Sequence, residues 1–167
     1  MRWLVDGYNV IRREPELSAC EQVSLQAGRH ALCQLLVAAA RTSGDQFTIV
    51  FDGTRGGGTA FSGRGVRVLF SKAPEQADDL IARLATSGVA VVSNDRDVRR
   101  AAERAGAIAI TTDEFLARVL APPTPDKDEE EDFLPIPKKG NPRRLPKKAR
   151  AAKRALGRLG PARKKFS

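Results

Sequence analysis

The sequence predicts an α/β fold in which helices cover both faces of a central, mainly parallel, five-stranded sheet. Five short runs are apolar nearly throughout, as strands are when both faces of a parallel sheet are buried. Amphipathic segments separate most of these runs, and a parallel crossover needs a connection that a helix usually supplies. The predicted strands are residues 3–5, 47–51, 66–70, 89–92 and 107–110.

The helices are predicted from apolar residues that recur at helical spacing. The longest stripe begins at Leu25 and continues through Leu32 and Leu36. Either Thr111 or Thr112 caps the last helix, and a pair of prolines closes it off. The predicted helices span residues 25–39, 77–84, 97–105 and 113–120.

One connection between predicted strands departs from this pattern. Residues 52–65 are too rich in glycine to form a helix. We expect a mobile loop there, between the second and the third predicted strands.

Charge divides the chain into three parts. Residues 1–125 carry 15 basic and 14 acidic residues, whereas residues 126–132 carry six acids and one lysine, and residues 138–167 carry 13 basic residues and no acid. We therefore expect an α/β domain over residues 1–121, an acidic, proline-rich linker over 122–137 and a basic tail over 138–167. A basic helix is expected to begin near Pro146 and to order on a partner or by lying against the domain. Without such a contact, the tail is expected to be disordered.

The basic tail makes nucleic acid the leading partner, because cationic side chains displace the counterions of phosphate backbones. A solubilising role, or an electrostatic contact with an acidic protein or a membrane, stays open from the tail by itself. Cys20 and Cys33 show no metal-ligand spacing, and no apolar run is long enough to cross a membrane. Because the N-terminal segment turns polar after three apolar residues, we expect no secretory leader. A cytoplasmic protein without a membrane partner is expected.

Aspartates stand where predicted strands end. Asp6, Asp52 and Asp95 are each the first carboxylate after an apolar run, and the functional crevice of an open α/β sheet lies beyond the carboxyl ends of its strands. Asp78 and Asp79 come early in a helix, with Asp78 one position from its apolar face. Both also suit the positive end of the helix dipole, which is a purely structural alternative.

Carboxylates gathered in one cleft repel one another unless a cation holds them, which favours Mg²⁺ or Mn²⁺ as a cofactor. Such an ion can activate a water molecule and neutralise charge on a phosphodiester. The chain has a single histidine, His30, which argues against zinc and against histidine acid–base catalysis. We expect His30 to be structural.

Four segments of the chain form a recognisable set of motifs. They are Asp6-Gly7-Tyr8-Asn9-Val10-Ile11, Phe51-Asp52-Gly53, Gln76-Ala77-Asp78-Asp79-Leu80-Ile81 and Ser93-Asn94-Asp95-Arg96-Asp97. In these segments the chain resembles the YacP-like branch of the NYN domains, which are related to PIN-domain nucleases. The resemblance covers roughly residues 2–121 and leaves the basic tail outside.

This resemblance implies a PIN-like Rossmannoid three-layer sandwich and an endoribonuclease that depends on Mg²⁺ or Mn²⁺. One member of the branch resembles a ribosome-associated mRNA endonuclease, so RNA, mRNA in particular, is the expected partner and the ribosome a further one. By motif, the central acids are Asp6, Asp78 and Asp95, with Asn9 beside them as a catalytic polar residue. The fourth metal ligand would be Asp97 or Asp79, and Asp52 would be a further acid at the rim.

Several of these residues have a structural alternative. Asp52 with the following glycine is typical of a turn, and Asp97 of a helix cap or an ion pair. Asn9 suits a bond to its own backbone, and Tyr8 suits core packing better than stacking on a base. The residues expected to contact RNA are Arg12, Arg13, Arg55, Arg64, Arg96 and Arg99 around the site, with Lys147, Lys148 and Arg150 in the tail.

Two rival functions follow from the same residues. A phosphatase of the haloacid dehalogenase type also has an aspartate after its first strand, but it needs a second one where this chain has Tyr8. A non-catalytic RNA- or ribosome-binding protein is the stronger rival. The presence of Asp6, Asp78 and Asp95 favours catalysis, because a pure binder of polyanions gains by losing negative charge from its cleft. The sequence leaves the oligomeric state, the RNA target and the number of metal ions open.

Overall fold

The computed structural model describes residues 1–53, 61–121 and 146–159. The strands in these ranges are β1 (Arg2–Asp6), β2 (Gln46–Phe51), β3 (Phe61–Gly63), β4 (Val66–Phe70), β5 (Val89–Val92) and β6 (Ile108–Ile110). The helices are α1 (Gly7–Arg13), α2 (Pro15–Val23), α3 (Leu25–Ser43), α4 (Ala77–Leu84), α5 (Arg96–Arg104), α6 (Thr112–Val119) and α7 (Lys147–Arg158).

The strands form one sheet in the order β3-β4-β2-β1-β5-β6, parallel throughout except for β3. The predicted α/β class is confirmed, and all five predicted strands are present. The described sheet has six strands rather than five because residues 61–63 pair antiparallel with β4. Arg64 and Gly65 form the intervening turn with φ angles of 52° and 78°, as a two-residue hairpin loop of type I′ requires.

The prediction of a mobile loop over residues 52–65 is therefore wrong for residues 61–65. The glycine content correctly excluded a helix in these five residues, but it gave no sign of a strand only three residues long. Residues 54–60 lie outside the described part of the chain.

Helices cover both faces of the sheet, which makes three layers. Successive residues of β1 alternate between the layers, as the period of a strand requires: Trp3 and Val5 belong to one buried cluster and Leu4 to the other. The larger cluster packs α3 and α6 against the sheet, with the Trp3 ring 5.6 Å from that of Phe115. The smaller cluster packs α4 and α5 on the opposite face, through residues such as Ile81.

Two helices near the N-terminus were not predicted. Asp6 caps α1 directly at the end of β1, so the chain changes from strand to helix without a loop. Glu14 then caps α2, where its carboxylate accepts a hydrogen bond of 2.7 Å from the N–H of Leu17. Of the two expected caps of the last domain helix, the structure selects Thr111, which forms a reciprocal capping box with Glu114.

Helix α7 lies against the domain, which is one of the states expected for the basic tail; the others were a helix ordered by a partner and a disordered tail. Ala155 and Leu159 are buried in the same cluster as Trp3. The Arg118 guanidinium donates to the carbonyl of Leu156 at 3.0 Å, near the C-terminus of α7. Within the described ranges, no helix combines the length and the apolar character needed to cross a membrane.

Candidate active site

Polar side chains follow the parallel strands and meet at one edge of the sheet. Asp6 ends β1, Asp52 follows β2, Ser71 follows β4 and Ser93 follows β5. Because parallel strands end at the same edge, these residues surround one crevice. This acidic cleft has a volume of about 400 Å³ and is lined by Asp6, Tyr8, Asn9, Arg12, Arg13, Asp52, Gln76, Ala77, Asp78, Asn94 and Asp95.

Asp6 is the buried acid of the acidic cleft, with 9% of its surface exposed. It caps α1 by accepting a hydrogen bond of 3.3 Å from the N–H of Asn9. Gly7 is required next to it, because a β-carbon at that position would lie 2.2 Å from the Phe51 ring. The Asp-Gly pair thus lets the chain turn sharply into α1 and leaves the carboxylate at the end of the central strand.

Burial and neighbouring carboxylates raise the pKa values of Asp6 and Asp78. Burial raises the pKa of Asp6 to about 6; hydrogen bonds from Ser93 and Asn9 oppose this rise, and the charges of Asp78 and Asp95 add to it. The pKa of Asp78 is also raised, first by burial and then by neighbouring aspartates, of which Asp95 has the largest effect. A cation bound in the cleft would relieve this repulsion.

Ser93 connects two of the cleft acids. Its hydroxyl donates to Oδ2 of Asp6 at 3.0 Å and accepts from the N–H of Asp95, also at 3.0 Å. Asp95 in turn caps α5 through Oδ1, which accepts from the N–H groups of Asp97 at 2.7 Å and Val98 at 3.2 Å. The carboxylates of Asp6 and Asp95 are thereby held at fixed places, at the end of β1 and at the N-terminus of α5.

Asn9 joins three elements beneath the cleft. Its Oδ1 accepts from the N–H of Asn94 at 3.1 Å and from the hydroxyl of Thr112 at 2.9 Å. Asn94 also donates from Nδ2 to Asp113 at 2.9 Å, and Asp113 accepts from the Arg13 guanidinium. Asn9 is thus fully engaged at its carbonyl, and the arrangement favours a positioning role over direct contact with a reacting phosphate.

Four residues of the site were not predicted from the sequence: Ser93, Asn94, Thr112 and Asp113. A signal for them exists, because they are polar residues that closely follow β5 and β6, as Asp6 ends β1. Their partners, however, are up to 103 residues away along the chain, so only the folded sheet brings them together.

Asp52 lies at the rim of the acidic cleft. Its carboxylate accepts from the Ser71 hydroxyl at 3.5 Å, and its negative charge contributes to the raised pKa of Asp78. Gly53 belongs to the same connection, because a β-carbon there would lie 2.1 Å from the carbonyl oxygen of Ser71. The turn and the rim acid, which the sequence offered as alternatives, are therefore combined in one structure.

The family profile of the YacP-like NYN domain matches residues 3–154 of this chain. The chain belongs to the YacP-like NYN domain family. Two crystal structures of Rae1 (YacP) from Bacillus subtilis are similar to it. The first has 28% identity and a TM-score of 0.57, over 70% of this chain and 71% of that one. The second, of a mutant of the same protein, has 27% identity and a TM-score of 0.58, over 67% and 70%. No curated protein matches the chain.

Membership in this family supports a ribonuclease-type function, because NYN domains are a class of nucleases with a PIN-like fold. The predicted family and fold are confirmed. The match to residue 154 also extends past residue 121, where the recognised motifs end, and into α7. The basic helix is thus partly covered by the YacP-like match, although the sequence motifs placed it outside.

Two predicted ligands lie outside the acidic cleft of this NYN domain. The carboxylate of Asp79 accepts from the N–H of Gln76 and so completes a capping box at the start of α4. The side chain of Asp97 is 94% exposed and lies 4.0 Å from Arg100, one turn along α5. Neither acid lines the acidic cleft, although the charge of Asp79 contributes to the raised pKa of Asp78.

The predicted RNA contacts fall into separate places. Arg12 and Arg13 line the acidic cleft. Arg64 occupies the β3–β4 turn, just before β4 begins. It therefore lies at the N-terminal ends of the parallel strands, whereas the acids lie at their C-terminal ends. This placement argues against a contact between Arg64 and RNA bound in the cleft. Arg96, Arg99, Lys147 and Lys148 line a second groove, Arg150 is exposed on α7, and Arg55 lies outside the described residues.

Tyr8 packs in the core, as expected, although one part of it reaches the cleft. Its ring lies 5.0 Å from that of Phe51, and its hydroxyl accepts hydrogen bonds from the buried guanidinium of Arg29. The Arg12 guanidinium lies 5.4 Å from the centre of the Tyr8 ring. Tyr8 therefore supports Arg12 at the wall of the cleft. His30 is exposed on α3, away from the acids.

Proposed function

We propose that this chain is a metal-dependent endoribonuclease that hydrolyses RNA phosphodiester bonds in the acidic cleft. The observation that carries the proposal is the convergence of Asp6, Asp78 and Asp95 in one cleft. The negative charges of Asp78 and Asp95 contribute to the raised pKa of Asp6, and that of Asp95 contributes to the raised pKa of Asp78. Carboxylates in a cleft repel a polyanion such as RNA and lower its affinity. A bound cation would neutralise them and remove this repulsion. The YacP-like NYN family supports the same reaction class.

The donor set fits Mg²⁺ or Mn²⁺. These ions prefer oxygen ligands, and Mg²⁺ in particular is often held by one or two carboxylates, with waters and substrate phosphates completing its shell. Within residues 1–53, 61–121 and 146–159, no three His, Cys, Asp or Glu side chains are arranged to hold an ion together. We therefore assign the ion to one or two of Asp6, Asp78 and Asp95. When bound, it supplies a more acidic water molecule and positive charge beside the phosphodiester.

The remaining residues orient these acids and the substrate. Ser93 fixes one oxygen of Asp6 through a hydrogen bond of 3.0 Å. Asn9 ties the start of α1 to the loop that carries Asp95. Arg12 and Arg13 line the cleft and offer positive charge to the phosphates on either side of the scissile bond. We place mRNA first among the substrates, and the ribosome as the setting to be tested.

Cleavage of mixed cellular RNA tests the proposal. Wild type and Asp6→Asn are compared in Mn²⁺ and in EDTA, with and without ribosomes. Cutting by the wild type only, and only with metal, supports the nuclease, and a requirement for ribosomes identifies the substrate context. RNA binding without any cutting under these conditions would favour the non-catalytic RNA- or ribosome-binding protein. Because Asp6→Asn removes a negative charge, it should bind RNA at least as tightly as the wild type.

A further inference from the structure

A second groove lies beside the acidic cleft, between α5, β6 and α7. It has a volume of about 600 Å³, and five of the side chains that line it are cationic, whereas two are acidic. Both acids are engaged: Glu103 is paired with Lys148, and Glu114 accepts hydrogen bonds from the N–H and the hydroxyl of Thr111. This basic groove therefore has a net positive charge, although the domain as a whole is nearly neutral.

The basic groove and the acidic cleft are joined by the first turn of α5. Asp95, which lines the cleft, caps this helix, and Arg96 is its first residue and lines the groove. The Nε of Arg99 donates to the carbonyl of Asp95 at 3.4 Å. From Arg96 to Arg100 the helix axis advances only about 6 Å. An RNA strand that leaves the cleft over α5 would therefore contact cationic side chains within the first turn of this helix.

Helix α7 supplies the other wall of the groove. Its first turn contains no acid and starts with Lys147 and Lys148. Cations there oppose the helix dipole, so they do not serve the stability of the helix itself. The Lys148–Glu103 ion pair connects this turn to α5. Small residues, including Gly106 and Ala107, line the space between the two helices and leave room for a backbone to approach.

We infer that the basic groove binds the sugar-phosphate backbone of single-stranded RNA next to the segment held in the acidic cleft. This inference rests on the proposed function. RNA is the favoured occupant because the groove adjoins the cleft of a nuclease family. Apart from alanines and the half-buried Ile108, the groove offers separated cations and no large apolar side chain that would anchor a protein. It gives α7 a defined role as a wall of the substrate site.

Binding of intact RNA in EDTA tests the groove. The probes are single-stranded RNAs of about 4 and about 12 nucleotides, lengths that single-strand-binding folds commonly cover. The test variant is R100Q/K147Q, and the control is R2Q/R67Q. Arg2 and Arg67 are exposed and line one surface near the N-terminal ends of the strands, opposite to the acidic cleft, so both variants lose two positive charges. The wild type and the control should bind the longer RNA more tightly than the shorter one. In the test variant, this difference in affinity should be much smaller. The slope of log affinity against log salt should fall by about 0.7 for each lost phosphate contact.

Three results would overturn the inference. One is an unchanged gain with length in R100Q/K147Q, and another is an equal loss in both variants, which would reflect overall charge alone. The third is binding of polyglutamate that is as tight as that of RNA and is lost in R100Q/K147Q, since this would assign the groove to an acidic protein. Wild-type cleavage in Mn²⁺ is measured separately, so failure of the nuclease proposal is distinguishable from failure of the groove.

Discussion

The hydroxyl of Ser93 donates to Oδ2 of Asp6 at 3.0 Å, and this bond lowers the pKa of an acid that burial raises. Ser93→Ala removes the donor, so the pKa of Asp6 should rise further above 6 and cleavage should weaken at neutral pH. Loss of a hydrogen bond to a charged group corresponds to roughly 1.5–3 kcal/mol. At subsaturating Mn²⁺, where protons and the metal compete for Asp6, the acidic limb of the pH–rate profile should move to higher pH.

Ser71→Ala is the matched control for Ser93→Ala, because Ser71 is also a buried serine but donates to the rim acid Asp52. It should leave the acidic limb of the profile in place. An identical shift in both variants would contradict a specific effect of Ser93 on Asp6.

Asp6 should make the stability of the metal-free protein depend on pH. Its pKa is raised from 3.8 to about 6, so the folded state binds a proton more tightly than the unfolded state does. The free energy of unfolding therefore falls as pH rises from about 4 to about 6 and stays low above that range. Asp6→Asn should remove this loss and stabilise the protein at pH 7 by up to about 3 kcal/mol.

Urea unfolding in EDTA at pH 4 and at pH 7 measures this difference. The variant should match the wild type at the lower pH and exceed it at the higher one. Addition of Mn²⁺ should stabilise the wild type more than Asp6→Asn, which lacks one of the three candidate ligands. A variant that is less stable than the wild type at pH 7 would contradict the raised pKa.

Two aspartates that lie two positions apart in the same sequence motif should behave differently. Asp95 lines the acidic cleft, whereas the side chain of Asp97 is 94% exposed. Asp95→Asn should reduce cleavage by at least about 100-fold, in keeping with the loss of a group that acts on the metal or its water. Asp97→Asn should stay within a few-fold of the wild type. Equal loss in the two variants would restore Asp97 as the fourth ligand.

Gly7 and Gly157 should respond oppositely to alanine. A β-carbon at Gly7 would lie 2.2 Å from the Phe51 ring, whereas one at Gly157 meets nothing within 4 Å. Gly7→Ala should lower the free energy of unfolding by roughly 1–3 kcal/mol. Gly157→Ala, inside α7, should raise the stability of that helix by up to about 1 kcal/mol. Thermal unfolding and circular dichroism compare the two, and an unaffected Gly7→Ala would show that Phe51 can move aside.

The sequence predicted those features that depend on local pattern. The apolar runs identified the five parallel strands, and the acids at their ends identified Asp6 and Asp95. It could not predict β3, because three residues are too few to show the alternation of apolar and polar residues that marks a strand. It also could not predict the contacts of Asn94, whose partners are distant along the chain. The sequence also did not show whether α7 packs against the domain, because a helix rich in alanine and lysine is compatible both with a docked and with a solvated state.

Leu159 provides the last prediction, because it tests whether α7 is part of the folding unit. Its side chain is fully buried in the cluster that contains Trp3, and Arg118 donates to its carbonyl oxygen. Leu159→Ala should lower the free energy of unfolding by about 2–5 kcal/mol, the usual cost of removing a core leucine. Lys153→Ala, an exposed change on the same helix, should leave it nearly unchanged. If both variants unfold like the wild type, α7 separates from the domain at little cost, and the wall of the basic groove would then form only when RNA is bound.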